Sequence, residues 1–333
     1  MTSNILTLII AAAFVASPFV YLLGRSMGKK VSWLVVAVFV VMTVGLASLF
    51  PTVEHEVLME EYSWVSAPVN LNFGFMGDGL SVPMLFTYVF VFAGATLFSM
   101  PYMERRFKQD DVEESNEQYA RFYTFFLLYG ASVAGCMLAT NLIQFFMFFE
   151  LALVFSWLLV FLYGYGDRKN NSTVYFIWTH IGGGAFLAGI LGAYWNVGSF
   201  EIADLLHIAD HPGAFWVGLF ISLGLLVKIG ALGFHGWMPG TYSESPAPLS
   251  AVLGATSVML STYSMSRLLP PFQPVLQGVS KWFMLWALMT ILYAGVMALV
   301  QKDTKRLVAY LSMSQMNYCV LGVFTYAAFG VLG

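Results

Sequence analysis

The stretch that decides the fold is GLFISLGLLVKIGALGFHGWMPG, residues 218–240, in which Lys228 interrupts an apolar run. An ammonium group in hydrocarbon costs several kcal/mol, so it persists only with a partner, a water-filled cavity or a functional role. A second charge, Glu150, lies in the apolar stretch FFMFFELALVFSW, residues 145–157. Opposite charges in two apolar runs favour a proton or ion path. A static ion pair that holds two helices together is the alternative.

The composition indicates a membrane protein. Hydrophobic residues make up 59% of the chain and charged residues 10%, against about 25% charged in soluble domains. The mean hydropathy is +0.75. The net charge of -3 gives no sign of nucleic-acid binding. Cys136 and Cys319 lie far apart in apolar stretches and are interpreted as small core residues.

A membrane span needs about 20 apolar residues, and this criterion predicts ten spans in an all-α bundle. Between the second and third spans, the alternating stretch Val69-Asn70-Leu71-Asn72-Phe73 predicts a small hairpin at the membrane surface. Residues 199–208, SFEIADLLHI, predict a short amphipathic interfacial helix. The predicted spans are 4–24, 32–50, 80–101, 120–139, 142–164, 173–195, 214–235, 247–268, 279–300 and 304–331.

The seventh span carries signals for a broken helix. Gly230, Gly233 and Gly236 follow Lys228 at intervals of three, and Pro239 comes next. Broken helices line ion sites in transporters, whereas the alternative for these glycines is tight helix packing. The Gly182–Gly184 run follows no strand and is interpreted as a packing feature rather than a phosphate loop.

Two histidines and one carboxylate complete the ionisable groups near membrane depth. His235 is predicted near the inside surface, where the alternative to a relay is an interfacial histidine. His180 is predicted deeper, either as a proton carrier or as a core histidine. Asp78 stands at the mouth of the third span. No cysteine and histidine cluster predicts zinc or an iron–sulfur centre, so no metal site is expected.

Lysine and arginine predict the orientation, because they concentrate in cytoplasmic loops. With the N-terminus outside, twelve of the fifteen basic residues fall in inside loops. Only Arg267 and Lys281 fall outside, and Lys228 lies within the membrane. The inside residues are Arg25, Lys29, Lys30, Arg105, Arg106, Lys108, Arg121, Arg168, Lys169, Lys302, Lys305 and Arg306.

Five motifs, in order along the chain, resemble the antiporter-like membrane subunits of respiratory complex I, membrane-bound hydrogenases and multisubunit cation/proton antiporters. Together these motifs extend over nearly the whole chain. They are Asp78-Gly79-Leu80-Ser81, Phe149-Glu150-Leu151, Lys228-x6-His235-x-Trp237-x-Pro239, Pro246-x-Pro248-x-Ser250-Ala251 and Asp303-x-Lys305-Arg306-x3-Tyr310-x2-Met313-Ser314-Gln315.

The resemblance implies an inverted-repeat fold with a broken seventh helix. It divides the single membrane domain, residues 1–333, into N-terminal helices (1–118), a first five-helix repeat (119–270) and the start of a second, incomplete repeat (271–333). It implies a proton path in which Glu150 modulates, Lys228 carries the proton and a hydrophilic residue of the eighth helix takes part. His235, His180 and Lys305 are predicted as further members of the path.

Three departures from the family pattern qualify this expectation. The eighth span has Gly254 and Met259 where relatives have a histidine or lysine. The polar residues of this span include Thr256, Ser257, Ser261, Thr262 and Tyr263. Three of them, Thr256, Ser257 and Tyr263, are predicted to support the path together with Asp78. The sixth span has Val174 where relatives have a lysine, and His180 is a substitute. The chain ends at Gly333, whereas full-length members continue with further helices, so we expect a companion chain to supply them.

The expected function is proton translocation within a redox-driven complex in the cell (inner) membrane. No cofactor is expected on this chain, because iron–sulfur clusters or other redox groups would reside on soluble partner subunits; whether the chain counts as part of an enzyme stays open. Other membrane subunits and lipid are expected partners, and nucleic acid is not. The alternatives are a sodium or potassium/proton antiporter without redox partners, a non-pumping scaffold and a bicarbonate or carbon dioxide carrier subunit.

Overall fold

The computed structural model describes residues 4–66, 71–109 and 114–327, with only the backbone at 109 and 256–258. It is built from helices and one two-stranded hairpin. The helices are α1 (Ile5–Met27), α2 (Ser32–Ala47), α3 (Phe50–Val53), α4 (Ser81–Gln109), α5 (Asn116–Leu138), α6 (Leu142–Tyr163), α7 (Arg168–Val197), α8 (Ala214–Ile229), α9 (Met238–Glu244), α10 (Ala247–Leu268), α11 (Gln273–Leu299) and α12 (Thr304–Phe324).

Each of the ten predicted spans corresponds to a helix of at least 16 residues, which confirms the predicted helix bundle, but α8 and α10 are not among the described segments that are long and apolar enough to cross a membrane. The third span extends beyond its predicted end at 101 to Gln109, and the ninth begins earlier, at Gln273. Seven segments in the described residues are long and apolar enough to cross a membrane, the first of them, Ile5–Val53, containing both α1 and α2. The seventh predicted span is shorter than expected, because α8 ends at Ile229. The last residues of the tenth predicted span, 328–331, lie outside the described residues.

The predicted hairpin is confirmed. Strand β1 (Leu58–Val65) pairs antiparallel with β2 (Leu71–Gly77), with Tyr62 opposite Phe73. Val69 and Asn70 lie outside the described residues. The predicted helix near 199–208 is also present, as a 3₁₀ helix over Ile202–Asp210 that buries Leu205 and Ile208.

The described chain forms two compact units. Unit 1 comprises Met1–Thr140, Met147–Arg168 and Ser245–Ala255; unit 2 comprises Asn141–Phe146, Lys169–Glu244 and Thr256–Gly333. The boundaries predicted from the family resemblance, at 118 and 270, are not tested by this division and stay a prediction.

Aromatic packing forms the core of unit 1. Phe92 of α4 is fully buried, and its ring centre lies 5.3 Å from that of Phe39 and 5.1 Å from that of Phe126. Small residues bring α1 against α5, because a Cβ on Gly24 would lie 2.8 Å from the Cα of Ala120. These contacts hold α1, α2, α4 and α5 together in one unit.

Basic segments predicted on the inside contact one another within unit 1. The Lys29 ammonium, in the short connection after α1, lies 2.9 Å from the Glu104 carboxylate near the end of α4. Arg106, in the last turn of α4, donates a hydrogen bond to the Gly164 carbonyl, 2.8 Å away, in the connection after α6. The predicted topology requires these connections to lie on one side.

The hairpin caps the first membrane helix. The buried Glu60 carboxylate of β1 accepts hydrogen bonds from the backbone N–H groups of Leu6 (2.9 Å) and Thr7 (2.8 Å) and from the Thr7 hydroxyl (2.6 Å). The first N–H groups of a helix have no partner within the helix, and a negative charge there is stabilised by the helix dipole. Glu60 therefore fixes α1 to the hairpin.

Replacing Glu60 with Gln should lower the free energy of unfolding by about 1–3 kcal/mol, because an amide group would face N–H donors that now bind a charged carboxylate. Glu61→Gln, on the exposed neighbouring residue, is the matched control and should change stability little. The midpoint of thermal unfolding in detergent measures both. Equal midpoints for the two variants would contradict the capping role.

Candidate functional site

The break in the seventh span begins at Gly230, directly after α8. Gly230 adopts a φ of 75° and Gly233 a φ of 93°, a left-handed backbone that strongly favours glycine. A short 3₁₀ helix over His235–Trp237 follows, and α9 then begins at Met238 with Pro239 in its first turn. The predicted broken helix is thus confirmed. Gly236, the third predicted glycine of the break, does not have a left-handed backbone.

Side chains from the 3₁₀ helix and from α11 bind the backbone of the break. Trp286 donates its indole N–H to the Leu232 carbonyl at 2.9 Å, and Thr290 accepts a hydrogen bond from the Leu232 N–H at 3.0 Å. Trp237 donates its indole N–H to the Val227 carbonyl at 3.1 Å. A helix interrupted at membrane depth leaves backbone groups that need partners, and these side chains provide them.

Lys228 lies in the last turn of α8, two residues before Gly230, and only 4% of it is exposed. The carbonyl end of a helix carries a partial negative charge that favours a cation. The break therefore places Lys228 at the carbonyl end of α8.

Glycines place α8 directly against α7. A Cβ on Gly224 would lie 2.6 Å from the Gly182 carbonyl, and one on Gly189 would lie 2.6 Å from the Ile221 side chain. Gly182 also makes room for Val227, the residue before Lys228. The packing interpretation of the 182–184 run is confirmed for Gly182, whereas Gly184 faces open space.

Glu150 lies in α6 and is half-buried. Of the residues next to it in the chain, Phe149 is 1% exposed and Leu151 is half-buried. Glu150 belongs to unit 1 and Lys228 to unit 2, so their pairing stays a prediction.

His235 is half-buried and contacts both the break and α11. The Gly233 N–H donates to Nδ1 at 3.3 Å, and Nε2 lies 3.2 Å from the Tyr293 hydroxyl. In the neutral ring, Nδ1 is then the acceptor and Nε2 carries the hydrogen, which points to Tyr293. Tyr293 in turn lies beside Tyr310, with ring centres 6.4 Å apart.

His180 is exposed on α7, stacked on Phe176 with ring centres 5.4 Å apart. The interpretation as a core histidine is therefore wrong. Apolar periodicity could not decide this point, since Ile177 and Ile181 beside it are exposed as well. Its role in a proton path stays a prediction.

Lys305 and Asp78 both make contacts at helix ends. The Lys305 ammonium donates to the Ser243 carbonyl at 3.2 Å, at the C-terminal end of α9. The Asp78 carboxylate accepts from the N–H groups of Leu80 (3.1 Å) and Ser81 (2.8 Å), at the start of α4. These contacts give both residues a structural role, whereas their predicted functional roles stay predictions.

The supporting residues of α10 are described in part. Tyr263 is buried, and the Arg267 guanidinium lies 5.9 Å from its ring centre. The side chains of Thr256 and Ser257 lie outside the described residues. In the part of the chain that the structure describes, no three His, Cys, Asp or Glu residues are grouped as metal ligands.

The sequence also matches a known family. Residues 139–332 match the family described as "NADH:quinone oxidoreductase/Mrp antiporter, TM". The chain belongs to this family. With its apolar spans, it is a multi-pass membrane protein. The matched region includes Glu150, Lys228 and the whole of the break.

Curated relatives are subunits of oxidoreductases. F(420)H(2) dehydrogenase subunit M of Methanosarcina mazei is 31% identical, over 79% of this chain and 53% of that protein. NADH-quinone oxidoreductase subunit M of Rickettsia conorii is 27% identical, over 83% of this chain and 54% of that protein. The chloroplastic NAD(P)H-quinone oxidoreductase subunit 5 of Anthoceros angustus is 32% identical, over 83% of this chain and 38% of that protein. The chain spans about half the length of the first two relatives.

Solved structures share the fold. A chain of the archaeal membrane-bound sulfane sulfur reductase superposes with a TM-score of 0.82 at 20% identity, over 96% of this chain and 65% of that one. A chain of the Mrp complex from Dietzia sp. superposes with a TM-score of 0.84 at 21% identity, over 98% of this chain and 34% of that one. A chain of respiratory complex I from Thermus thermophilus superposes with a TM-score of 0.78 at 26% identity, over 98% of this chain and 67% of that one. The predicted antiporter-like fold is therefore confirmed.

No sequence pattern points to Trp286, Thr290 or Tyr293, which bind the break and His235 from 54 to 58 residues away in the chain. Each is an ordinary aromatic or hydroxyl residue in an apolar helix. Only the three-dimensional packing of α11 identifies them.

Gly230→Ala should destabilise the protein by about 1–2 kcal/mol, because a side chain disfavours the left-handed backbone and the new Cβ would lie 3.0 Å from the Met238 methyl group. Gly236→Ala is the matched control, because its Cβ would meet no atom within 4 Å. Thermal unfolding in detergent compares the two. If Gly230→Ala is as stable as the control, the left-handed turn does not hold the break.

Proposed function

We propose that this chain is the proton-translocating, antiporter-like membrane subunit of a multisubunit, redox-driven complex. One observation carries the proposal: a lysine buried at the end of an interrupted membrane helix. Such a residue is costly unless it has a function, and interrupted helices form ion sites in transporters. The family membership and the oxidoreductase names of the relatives support a redox complex in particular.

In this proposal Lys228 accepts and releases the proton. Burial disfavours its charged form, whereas the carbonyl end of α8 and a nearby carboxylate favour it. In this proposal the two opposing effects leave the proton exchangeable, so a change in the surroundings of Lys228 loads or unloads it. We assign Glu150 as the carboxylate, because it is an acid in the middle of a membrane helix.

Other groups would extend this path. His235 and Tyr293 form a hydrogen-bonded pair directly after the break, and a histidine can both donate and accept a proton near neutral pH. The ammonium group of Lys305, a residue of α12, contacts the last turn of α9 and provides a further cation on the path. His180 would face a partner subunit or water. Redox cofactors, including iron–sulfur clusters, would reside on soluble partner subunits.

The test is proton translocation by the intact complex in vesicles, measured per electron pair. Lys228→Ala should leave assembly intact and lower the ratio at least several-fold. Lys302→Ala, on an exposed residue, is the matched control and should keep the native ratio. An assembled Lys228→Ala complex that pumps at the native ratio would refute the role of Lys228.

The same assay tests Glu150. Glu150→Gln should weaken pumping, and the loss should begin at a lower pH than in the native complex, because the carboxylate favours the charged lysine. An unchanged pH profile would show that the two residues act independently. Native pumping in a complex without redox subunits would instead identify a cation/proton antiporter.

We further propose that the chain lies in the cell membrane with its N-terminus outside. The contacts of Lys29 with Glu104 and of Arg106 with Gly164 support a common side for these segments. In sealed right-side-out vesicles, an impermeant thiol reagent should modify Glu56→Cys and spare Lys302→Cys. The opposite labelling would reverse the orientation.

A further inference from the structure

An apolar groove runs between α8 and α11, within unit 2. It encloses about 260 Å³, somewhat less than the roughly 300–1,000 Å³ of sites for drug-sized ligands. We propose that it binds one acyl chain of an anionic phospholipid. The residues that line the groove are Phe215, Leu219, Leu223, Val279, Trp282, Phe283 and Trp286.

The length of the α11 segment places this groove just inside the bilayer. The apolar segment Pro270–Leu299 has 30 residues, which span about 45 Å at 1.5 Å per residue. The hydrocarbon layer is only about 30 Å thick. Leu299 ends the helix and is 87% exposed, so we place one surface of the hydrocarbon layer at this residue. About 20 residues cross the layer, which places its opposite surface close to Lys281.

Lys281 provides the charge complement for a lipid headgroup. Its ammonium lies 5.6 Å from the ring centre of Trp282, a residue that lines the groove. Lysine and tryptophan together are typical of the membrane interface, where the lysine contacts headgroups and the indole lies at the boundary. A basic residue beside an apolar groove favours a lipid whose headgroup carries a net negative charge.

The groove also contacts the helix break. Trp286 forms part of its wall, and the same indole donates the hydrogen bond to the Leu232 carbonyl. An acyl chain against this ring would restrict its rotamers and so strengthen the bond that holds the break. Lipid occupancy should therefore stabilise residues 230–237, which follow Lys228.

The experiment uses the native complex, with the full chain, in nanodiscs that contain a photoactivatable phosphatidylglycerol or the phosphatidylcholine with the same acyl chains. Crosslinks mapped by mass spectrometry should concentrate on 215–223 and 279–286, several-fold more strongly with phosphatidylglycerol. Val279→Trp should fill the groove and reduce these crosslinks several-fold. Val296→Trp, 62% exposed on the same helix, is the matched control and should change nothing.

Two further variants separate the headgroup from the coupling. Lys281→Gln should abolish the preference for phosphatidylglycerol but retain the crosslinks. In the native protein, phosphatidylglycerol should slow hydrogen exchange of the amides of 230–237, and Trp286→Phe should remove this effect while leaving lipid crosslinking in place. If Val279→Trp does not assemble, Leu219→Trp fills the groove from α8.

Three results would overturn the proposal. Crosslinks of equal strength around Val296, unaffected by groove-filling variants, would show ordinary bilayer contact. Crosslinks from another subunit to 279–286 would show that a protein helix occupies the groove. Equal crosslinking by the two lipids would refute the role of Lys281 and the anionic headgroup.

Discussion

The structure around Lys228 depends on one constraint: backbone polar groups at membrane depth need hydrogen-bond partners within the protein. An unbroken α8 would satisfy them without help. The turn at Gly230 gives up that solution, and three side chains replace it, namely Trp237, Trp286 and Thr290. Two of them come from α11, so the interruption of one helix is stable only because another packs beside it.

The same constraint explains the arrangement of charges at helix ends. Glu60 lies at the amino end of α1, Lys228 at the carboxyl end of α8 and Lys305 at the carboxyl end of α9. For Glu60 and Lys228 the sign of the charge opposes that of the helix end beside it; the Lys305 ammonium does the same at α9, although Lys305 itself lies in the first turn of α12. In an apolar environment such positions reduce the cost of an ionised group, and Glu60 and Lys228 are both buried.

Local sequence patterns predicted most of the fold. The apolar runs located the ten long helices, the alternation around Leu71–Phe73 located the hairpin, and the glycines after Lys228 located the break. The position of Asp78 at the mouth of the third span agrees with its contacts, because an aspartate just before an apolar helix is a recognised start signal. The cap by Glu60 and the bonds from α11 could not be predicted, because each joins residues more than 50 positions apart and neither leaves a periodic trace.

The glycine contacts between α7 and α8 limit how this region can move. At Gly182 and Gly224 the two backbones touch with no side chain between them, so a larger residue at either position would push α8 away from α7. Val227, the residue before Lys228, packs against the same Gly182. The position of the lysine therefore depends on the absence of a side chain in a neighbouring helix.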